Sequence, residues 1–219
     1  MQIVEIAYYL DILSSWCFVT DDTLARLREK YGDRITVNWR LAVSHDGQPF
    51  GYTREQMAGF YARTKLVSGV QLNANWVEPN QELNSEHVSL AAEAARSLGF
   101  AGDDVRLGLA RAAMIDGKHA SRRDVALNLA SELSGIESAA LDGAMRSPAV
   151  AERIAATSAE FKKLGATVRP TFVMTNSIGD RVVLSGIWAF EPLDALIAEL
   201  LHDADTYERF SDGSVGARS

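Results

Sequence analysis

Cysteine is almost absent from this chain of 219 residues, which contains only Cys17. One cysteine cannot form a disulfide within the chain, so the protein cannot store two electrons as an internal dithiol. The four histidines are far apart and show no paired spacing typical of metal ligands. We therefore predict no internal disulfide and no metal site.

Long hydrophobic runs and an excess of basic residues are also absent. No stretch of about 18 apolar residues could cross a bilayer as a helix. The chain has 22 Lys and Arg against 29 Asp and Glu, a formal net charge of −7. Nucleic acids and anionic membranes favour basic surfaces, so we expect neither as a partner. No basic and apolar leader opens the sequence, and we expect a cytoplasmic location.

The beginning of the chain shows the pattern strand, helix, strand. Residues 3–9 form an almost continuous apolar run, typical of a buried central strand. Residues 35–41 alternate apolar and polar side chains, as a half-buried strand does. Between them a helical pattern runs from about Asp21 to Tyr31. A right-handed crossover would make the two strands parallel.

The middle of the chain shows only helical patterns, and strand patterns return after it. Apolar stripes at helical spacing are each ended by a glycine, and Ser121 and Asp124 have the spacing of a capping box. Residues 171–175 and 181–185 then predict a β-hairpin, followed by an amphipathic helix over residues 193–201. These patterns predict an α/β protein with a βαβ…ββα core. We place its two parts at residues 1–59 and 151–210, an all-helical insertion at 60–150 and a loose tail at 211–219.

The turn from the first strand to the first helix contains Ser14, Ser15, Trp16 and Cys17. Residues at a helix N-terminus lie at the positive end of the helix dipole, which lowers the pKa of a thiol held there. Ser14 has a simpler explanation as a helix N-cap. Free cysteine is most often inert packing, and we predict that Cys17 is partly buried. We expect Trp16 to face solvent as a lid.

A second group of residues lies just before the hairpin. Pro170 opens its first strand, a position where the missing N–H of proline is tolerated. Base rates favour a trans peptide bond before it. Arg169 would either pair with a ligand carboxylate or remain solvated. Five aromatic residues would either line an apolar pocket or hold the insertion on the core, and we favour the second: Phe50, Tyr52, Phe60, Tyr61 and Trp76.

Together these motifs resemble the DsbA-like thioredoxin superfamily, and within it the FrnE-like branch. That branch carries Cys-Pro-Trp-Cys-Tyr where this chain has Ser-Ser-Trp-Cys-Phe at residues 14–18, and Val-Pro-x-Phe-Val around Pro170. The similarity extends to about residue 201. It implies a thioredoxin-like core with a helical insertion. It also implies that Pro170 is cis, that Pro170 faces Ser14 and Cys17, and that the backbone before it pairs with a thiol-bearing ligand.

The chain departs from the family where Ser14 and Ser15 replace the first cysteine and the proline. A related branch, the kappa-class glutathione transferases and 2-hydroxychromene-2-carboxylate isomerases, also has serine at the first position. There the hydroxyl is thought to keep the glutathione sulfur as a thiolate. That branch tends to carry an acidic residue, which holds the glutathione amino group, where this chain has Trp188.

Our first functional hypothesis is a thiol-disulfide oxidoreductase with a degenerate site that handles a small thiol or disulfide. Its catalytic residues would be Ser14, Cys17 and Pro170. The predicted substrate-binding residues are Ser15, Trp16, Arg169 and Thr171. The alternatives are a glutathione-dependent isomerase or transferase that uses Ser14, and a binding module without catalysis. We expect no tightly bound cofactor, with glutathione or another small thiol as co-substrate. The resemblance also admits a homodimer.

Overall fold

A four-stranded mixed sheet lies at the centre of this computed structural model, which describes residues 2–44, 48–78, 83–100 and 102–211. The strands are β1 (Val4–Leu10), β2 (Ile35–Leu41), β3 (Thr171–Thr175) and β4 (Arg181–Ser185), in the order β2-β1-β3-β4. β1 pairs in parallel with β2 and antiparallel with β3. Five of its seven residues are buried, the last three consecutively, as expected for a central strand. The predicted strands and hairpin are confirmed.

Eight helices surround and extend this sheet within the described residues. They are α1 (Ser15–Tyr31), α2 (Arg54–Ser68), α3 (Glu86–Ser97), α4 (Asp104–Met114), α5 (Arg123–Ser134), α6 (Ser138–Met145), α7 (Pro148–Lys163) and α8 (Phe190–Ser211). α2 to α6 follow one another without a strand, so the α/β fold with a helical insertion is confirmed. No helix in the described part of the chain is long and apolar enough to span a membrane.

The starts of two helices, α1 and α5, show where the sequence-based predictions hold and where they fail. α1 begins at Ser15, ahead of the apolar periodicity that starts near Asp21, because Ser14 has an extended backbone and caps the helix with its side chain, as the N-cap interpretation implies. The predicted capping box at Ser121 is wrong. The N-cap of α5 is Arg122, which makes no side-chain cap bond and pairs instead with Asp124.

Other helix ends follow local sequence rules. The capping box of α2 is present, since Thr53 and Gln56 bond reciprocally to each other's backbone N–H groups. α8 continues beyond the predicted stripe to Ser211. The predicted tail therefore loses its first residue to this helix, and its remaining residues lie outside the described part of the chain.

One cluster of buried side chains joins the sheet to the helical insertion. It contains Tyr8 and Phe172 of the sheet, whose rings stack with centroids 5.1 Å apart, together with the alanine-rich face of α3. α3 lies at the centre of the insertion and packs against α4, α5, α6 and α7. Small side chains on α3 allow these helices to approach closely. The exact domain boundaries proposed from the sequence stay predictions.

Candidate functional site

A cavity of about 400 Å³ opens beside the N-terminus of α1. Its walls come from the end of β1, the start of α1, the helix α2 and the residues before β3. Three of the predicted site residues line it on one side, namely Ser14, Ser15 and Trp16, and Arg169 lines it on another. The fold therefore brings the two motifs, which are far apart in sequence, to the same cavity.

Ser14 lies in the wall of this cavity as the N-cap of α1. It is half-buried, and its Oγ accepts a bond from the backbone N–H of Cys17 at 3.4 Å. Its own N–H donates to the Asp11 carbonyl at 3.1 Å, which closes the turn after β1. The capping interpretation of Ser14 is thus confirmed, and the same residue also lines the cavity.

Cys17 lies inside the core, not in the cavity wall. Only 2% of its surface is exposed, so the predicted partial burial is wrong. Burial is the largest cause that raises the pKa of its thiol, to about 12, while hydrogen bonds with the Asp11 backbone and the Ser14 side chain act in the opposite direction. A thiol with this pKa is almost wholly protonated at neutral pH, and the thiolate is the reactive form.

Asp11 is a site residue that the sequence reasoning missed. Its buried carboxylate accepts from the N–H of Leu13 at 2.9 Å, the N–H of Ser44 at 2.7 Å and the hydroxyl of Ser85 at 2.6 Å. It therefore joins the turn before Ser14 to the end of β2 and to the insertion. Only its place directly after a buried strand, three residues before Ser14, could have drawn attention to it.

The peptide bond between Arg169 and Pro170 is cis. Arg169 is not a solvated side chain. Its Nη2 donates to the Val43 carbonyl at 3.0 Å, its Nε donates to the Ala42 carbonyl, and its guanidinium lies 4.4 Å from the centre of the Phe161 ring. Arg169 thus fixes the segment before Pro170 to the chain that follows β2.

Two further predicted substrate-binding residues make internal bonds. Thr171 is fully buried, and its hydroxyl donates to the Val168 carbonyl at 2.8 Å and pairs with Ser185 at 2.7 Å. Ser15 lines the cavity, and its hydroxyl lies 3.1 Å from that of Thr64 in α2. Ser15 is therefore placed to contact a ligand, whereas the side chain of Thr171 is directed into the hairpin.

Trp16 is half-buried, lines the cavity and packs against Trp188. Their ring centres are 6.1 Å apart, with an interplanar angle of 36°. The guanidinium of Arg63, an exposed residue of α2, lies 5.8 Å from the centre of the Trp16 ring. Arg63 also lines the cavity and was not identified from the sequence.

The aromatic residues that we assigned to packing divide into two groups. Phe50, Tyr52, Phe60 and Tyr61 all line the cavity, so the favoured packing interpretation is incomplete for these four. Trp76 is fully buried behind them, and its indole N–H donates to the Tyr61 hydroxyl at 2.9 Å. The cavity therefore has an aromatic wall, with Arg63 and Arg169 as its cationic residues and Asp11 as its acidic residue.

Metal binding has no candidate among the described residues, where no three His, Cys, Asp or Glu side chains are grouped to hold an ion. His119 bonds to the Trp76 carbonyl at 3.1 Å, with Glu78 3.3 Å from its other ring nitrogen. His45 lies outside the described residues.

Comparison with known families identifies the fold. The profile of the DSBA-like thioredoxin domain matches residues 5–200. No curated protein matches the sequence.

Solved structures show the same fold at low sequence identity. A putative protein disulfide isomerase from Nitrosomonas europaea has a TM-score of 0.77 and 17% identity, over 92% of this chain and 98% of that chain. The cytosolic disulfide reductase DsbM from Pseudomonas aeruginosa has a TM-score of 0.71 and 23% identity, over 94% and 99%. A 2-hydroxychromene-2-carboxylate isomerase has a TM-score of 0.56 and 16% identity, over 98% and 100%.

Proposed function

Because the chain belongs to the DSBA-like thioredoxin domain family, we propose that it is a thiol-dependent enzyme in which Ser14, rather than Cys17, holds the reacting sulfur. One observation carries this proposal. Ser14 lines the cavity, whereas Cys17 is 2% exposed and the pKa of its thiol is raised to about 12. A hydroxyl at a helix N-terminus can donate to a sulfur and stabilise it as a thiolate, which is the nucleophilic form.

The reaction that fits this arrangement is a glutathione-dependent isomerisation or transfer, with no net redox change. Five aromatic side chains line the same cavity as Ser14, and they favour an aromatic second substrate. Arg63 lies at the rim of the same cavity, where its charge would attract a carboxylate on that substrate. The chain shares its fold with a 2-hydroxychromene-2-carboxylate isomerase as well as with the disulfide reductase DsbM, so the choice rests on the lining of the cavity.

Glutathione is proposed as the thiol, although Trp188 occupies the position of the acidic residue of the related transferases. Trp188 packs against Trp16, which lines the cavity, and it carries a ring where those transferases carry a charge. We expect weaker binding of the glutathione amino group in consequence. A small thiol without that group, such as mercaptopropionate, is therefore the informative comparison.

The test is a titration of each thiol, followed by the ultraviolet absorbance of the bound thiolate as a function of pH. Ser14→Ala should raise the pKa of the bound thiol by about one unit, which corresponds to the loss of about 1.4 kcal/mol. Ser147→Ala, at the half-buried N-cap of α7, is the control and should leave that pKa unchanged. An unchanged pKa in Ser14→Ala would contradict the assignment of Ser14.

The oxidoreductase hypothesis requires Cys17 to form a mixed disulfide, and it stays a prediction with its own test. The intact mass is measured after incubation of the folded protein with glutathione disulfide, with Cys17→Ala as the control. We expect no adduct on the folded wild type, because the thiol is buried and protonated. A glutathione adduct that depends on Cys17 would restore the redox function and overturn the present proposal.

A further inference from the structure

A second cleft, of about 580 Å³, runs along the outer edge of β2 and carries a concentration of arginines. It is lined by Arg28, Arg40, Arg96 and Arg153, with Asp103 as the one acidic residue of the lining. None of its lining residues belongs to the cavity at Ser14. Such a group of cations is unexpected in a chain with a formal net charge of −7.

The four arginines approach the cleft from four different elements. Arg28 belongs to α1 and Arg40 to β2, while Arg96 and Arg153 come from α3 and α7. Their side chains are between 26% and 46% exposed, so their stems are held by the protein while solvent still reaches them. The cleft therefore offers positive charge from several directions on positioned side chains.

Carboxylates are fewer than guanidiniums around this cleft. Glu93 is buried and is shared by two arginines, with Arg96 at 3.2 Å and Arg153 at 3.1 Å. Asp103 is likewise shared, between Arg28 at 2.8 Å and a buried arginine of α4 at 3.1 Å. Arg40 has a carboxylate partner of its own in Glu160. The four lining arginines thus meet three carboxylates, two of them shared, which leaves one positive charge in excess.

Hydrogen-bond acceptors along the β2 edge are also occupied. The Trp39 carbonyl accepts from Arg96 at 3.0 Å, and the Leu41 carbonyl accepts from Thr157 at 2.7 Å. A guanidinium has five N–H donors, and a single carboxylate contact uses at most two of them. The lining therefore presents more donors than acceptors to a ligand.

We propose that this cleft binds a small phosphorylated molecule through its phosphate group. A phosphate directs its oxygens to the corners of a tetrahedron, and guanidiniums that converge from four elements suit it better than they suit a planar carboxylate. Pockets of about 300–1,000 Å³ commonly hold small organic ligands, so the cleft also has room for the body of a phosphate ester.

Calorimetric titration with inorganic phosphate tests this proposal, at constant ionic strength adjusted with sodium chloride. We expect saturable binding to the wild type. Arg153→Gln should weaken it at least about tenfold, or about 1.4 kcal/mol, while Glu93 keeps Arg96 as a partner. Arg122→Gln is the matched control, because Arg122 is also an arginine in a salt bridge and is equally exposed at 46%. This control should bind phosphate as the wild type does.

Three outcomes would overturn the proposal. They are no saturable binding of phosphate, equal affinity in the wild type and Arg153→Gln, and binding of succinate as tight as that of phosphate, which would assign the cleft to dicarboxylates. If Arg153→Gln does not fold, Arg28→Gln repeats the test, because Asp103 then keeps its α4 partner. Ser14→Ala should not change phosphate binding, so this test is independent of the proposed thiol function.

Discussion

Ser14 and Cys17 are one helical turn apart, but they face different surroundings. Ser14 lines a cavity, while Cys17 lies in the core, where its backbone carbonyl accepts from the Tyr8 hydroxyl at 3.1 Å. Position in the sequence alone does not separate the two residues. The separation arises because Ser14 has an extended backbone and lies outside the helix as its N-cap, whereas Cys17 lies within the first turn of α1 and is buried.

The buried thiol of Cys17 should make the stability of the protein fall at alkaline pH. Its folded pKa of about 12 is raised above the usual value of 9.0, so its contribution is complete below pH 9 and is lost as the pH rises toward 12. At pH 10 the free energy of unfolding of the wild type should therefore have fallen by about 1.4 kcal/mol more than that of Cys17→Ala, because of this thiol. Urea unfolding of both proteins at pH 8 and pH 10 measures the difference, and parallel behaviour would show that the thiol is accessible in the folded protein.

Removal of the Asp11 carboxylate should be among the most destabilising changes near the site. Asp11→Ala leaves three donors, on Leu13, Ser44 and Ser85, without their acceptor. We expect a loss of about 3 kcal/mol or more in the free energy of unfolding. Asp22→Ala, at an exposed position of α1, is the control and should change stability by less than about 0.5 kcal/mol. If Asp11→Ala changes the free energy of unfolding in urea as little as Asp22→Ala does, the three hydrogen bonds of Asp11 do not stabilise the fold.

At the scale of helices, the glycines that follow α4 and α5 have almost the same backbone and different surroundings. Gly117 has φ = +70° and Gly135 has φ = +71°. A Cβ added to Gly117 would lie 2.8 Å from Asn73 Nδ2, whereas no described atom lies within 4 Å of one added to Gly135. Gly135→Ala should therefore lower the free energy of unfolding by only about 1–2 kcal/mol, which is the cost of holding an alanine in the left-handed conformation.

Gly117→Ala should cost at least about 1 kcal/mol more than Gly135→Ala, because the added methyl group would displace Asn73. Asn73 holds the segment after α2 against the end of α4, through its N–H bond to the Met114 carbonyl at 2.7 Å. Thermal unfolding of the two variants gives the comparison. Equal losses would mean that the Asn73 segment moves aside without cost.

Local patterns predicted most of the elements and failed where the controlling contacts are distant in sequence. β2 was predicted with its observed bounds, since alternation over seven residues has few competing explanations. The apolar periodicity of α1 begins only near Asp21, because the run from Ser14 to Thr20 contains few strong helix formers, whereas the N-cap interpretation of Ser14 gave the observed start. The role of Asp11 was missed because two of its partners, Ser44 and Ser85, lie far along the chain.

At the scale of the whole molecule, Arg106 joins the insertion to the core. Its guanidinium is 3% exposed and bridges Asp21 of α1, at 2.9 Å, and Asp103, at 3.1 Å. Arg106→Met should cost about 3–5 kcal/mol, because Asp21 would remain buried without its partner. Arg111→Met changes an exposed arginine of the same helix, and we expect it to be nearly neutral.

Urea unfolding followed by tryptophan fluorescence and by far-ultraviolet circular dichroism measures both variants. The two probes should report one transition, because a single buried cluster includes the sheet and the insertion. A loss below about 1 kcal/mol in Arg106→Met would show that the bridge adds little to the junction. Separate transitions would show that core and insertion unfold independently.

The shared carboxylate of Asp11 has a consequence for how this sequence can evolve. Residue 44 donates its backbone N–H to Asp11, so every residue except proline could make this bond. Residue 85 donates a side-chain hydroxyl to Asp11, so position 85 is restricted to side chains that can donate a hydrogen bond there. Substitutions at positions 11 and 85 are therefore expected to arise as a pair. A change at one position in the core limits which residues are acceptable at the other, which belongs to the insertion.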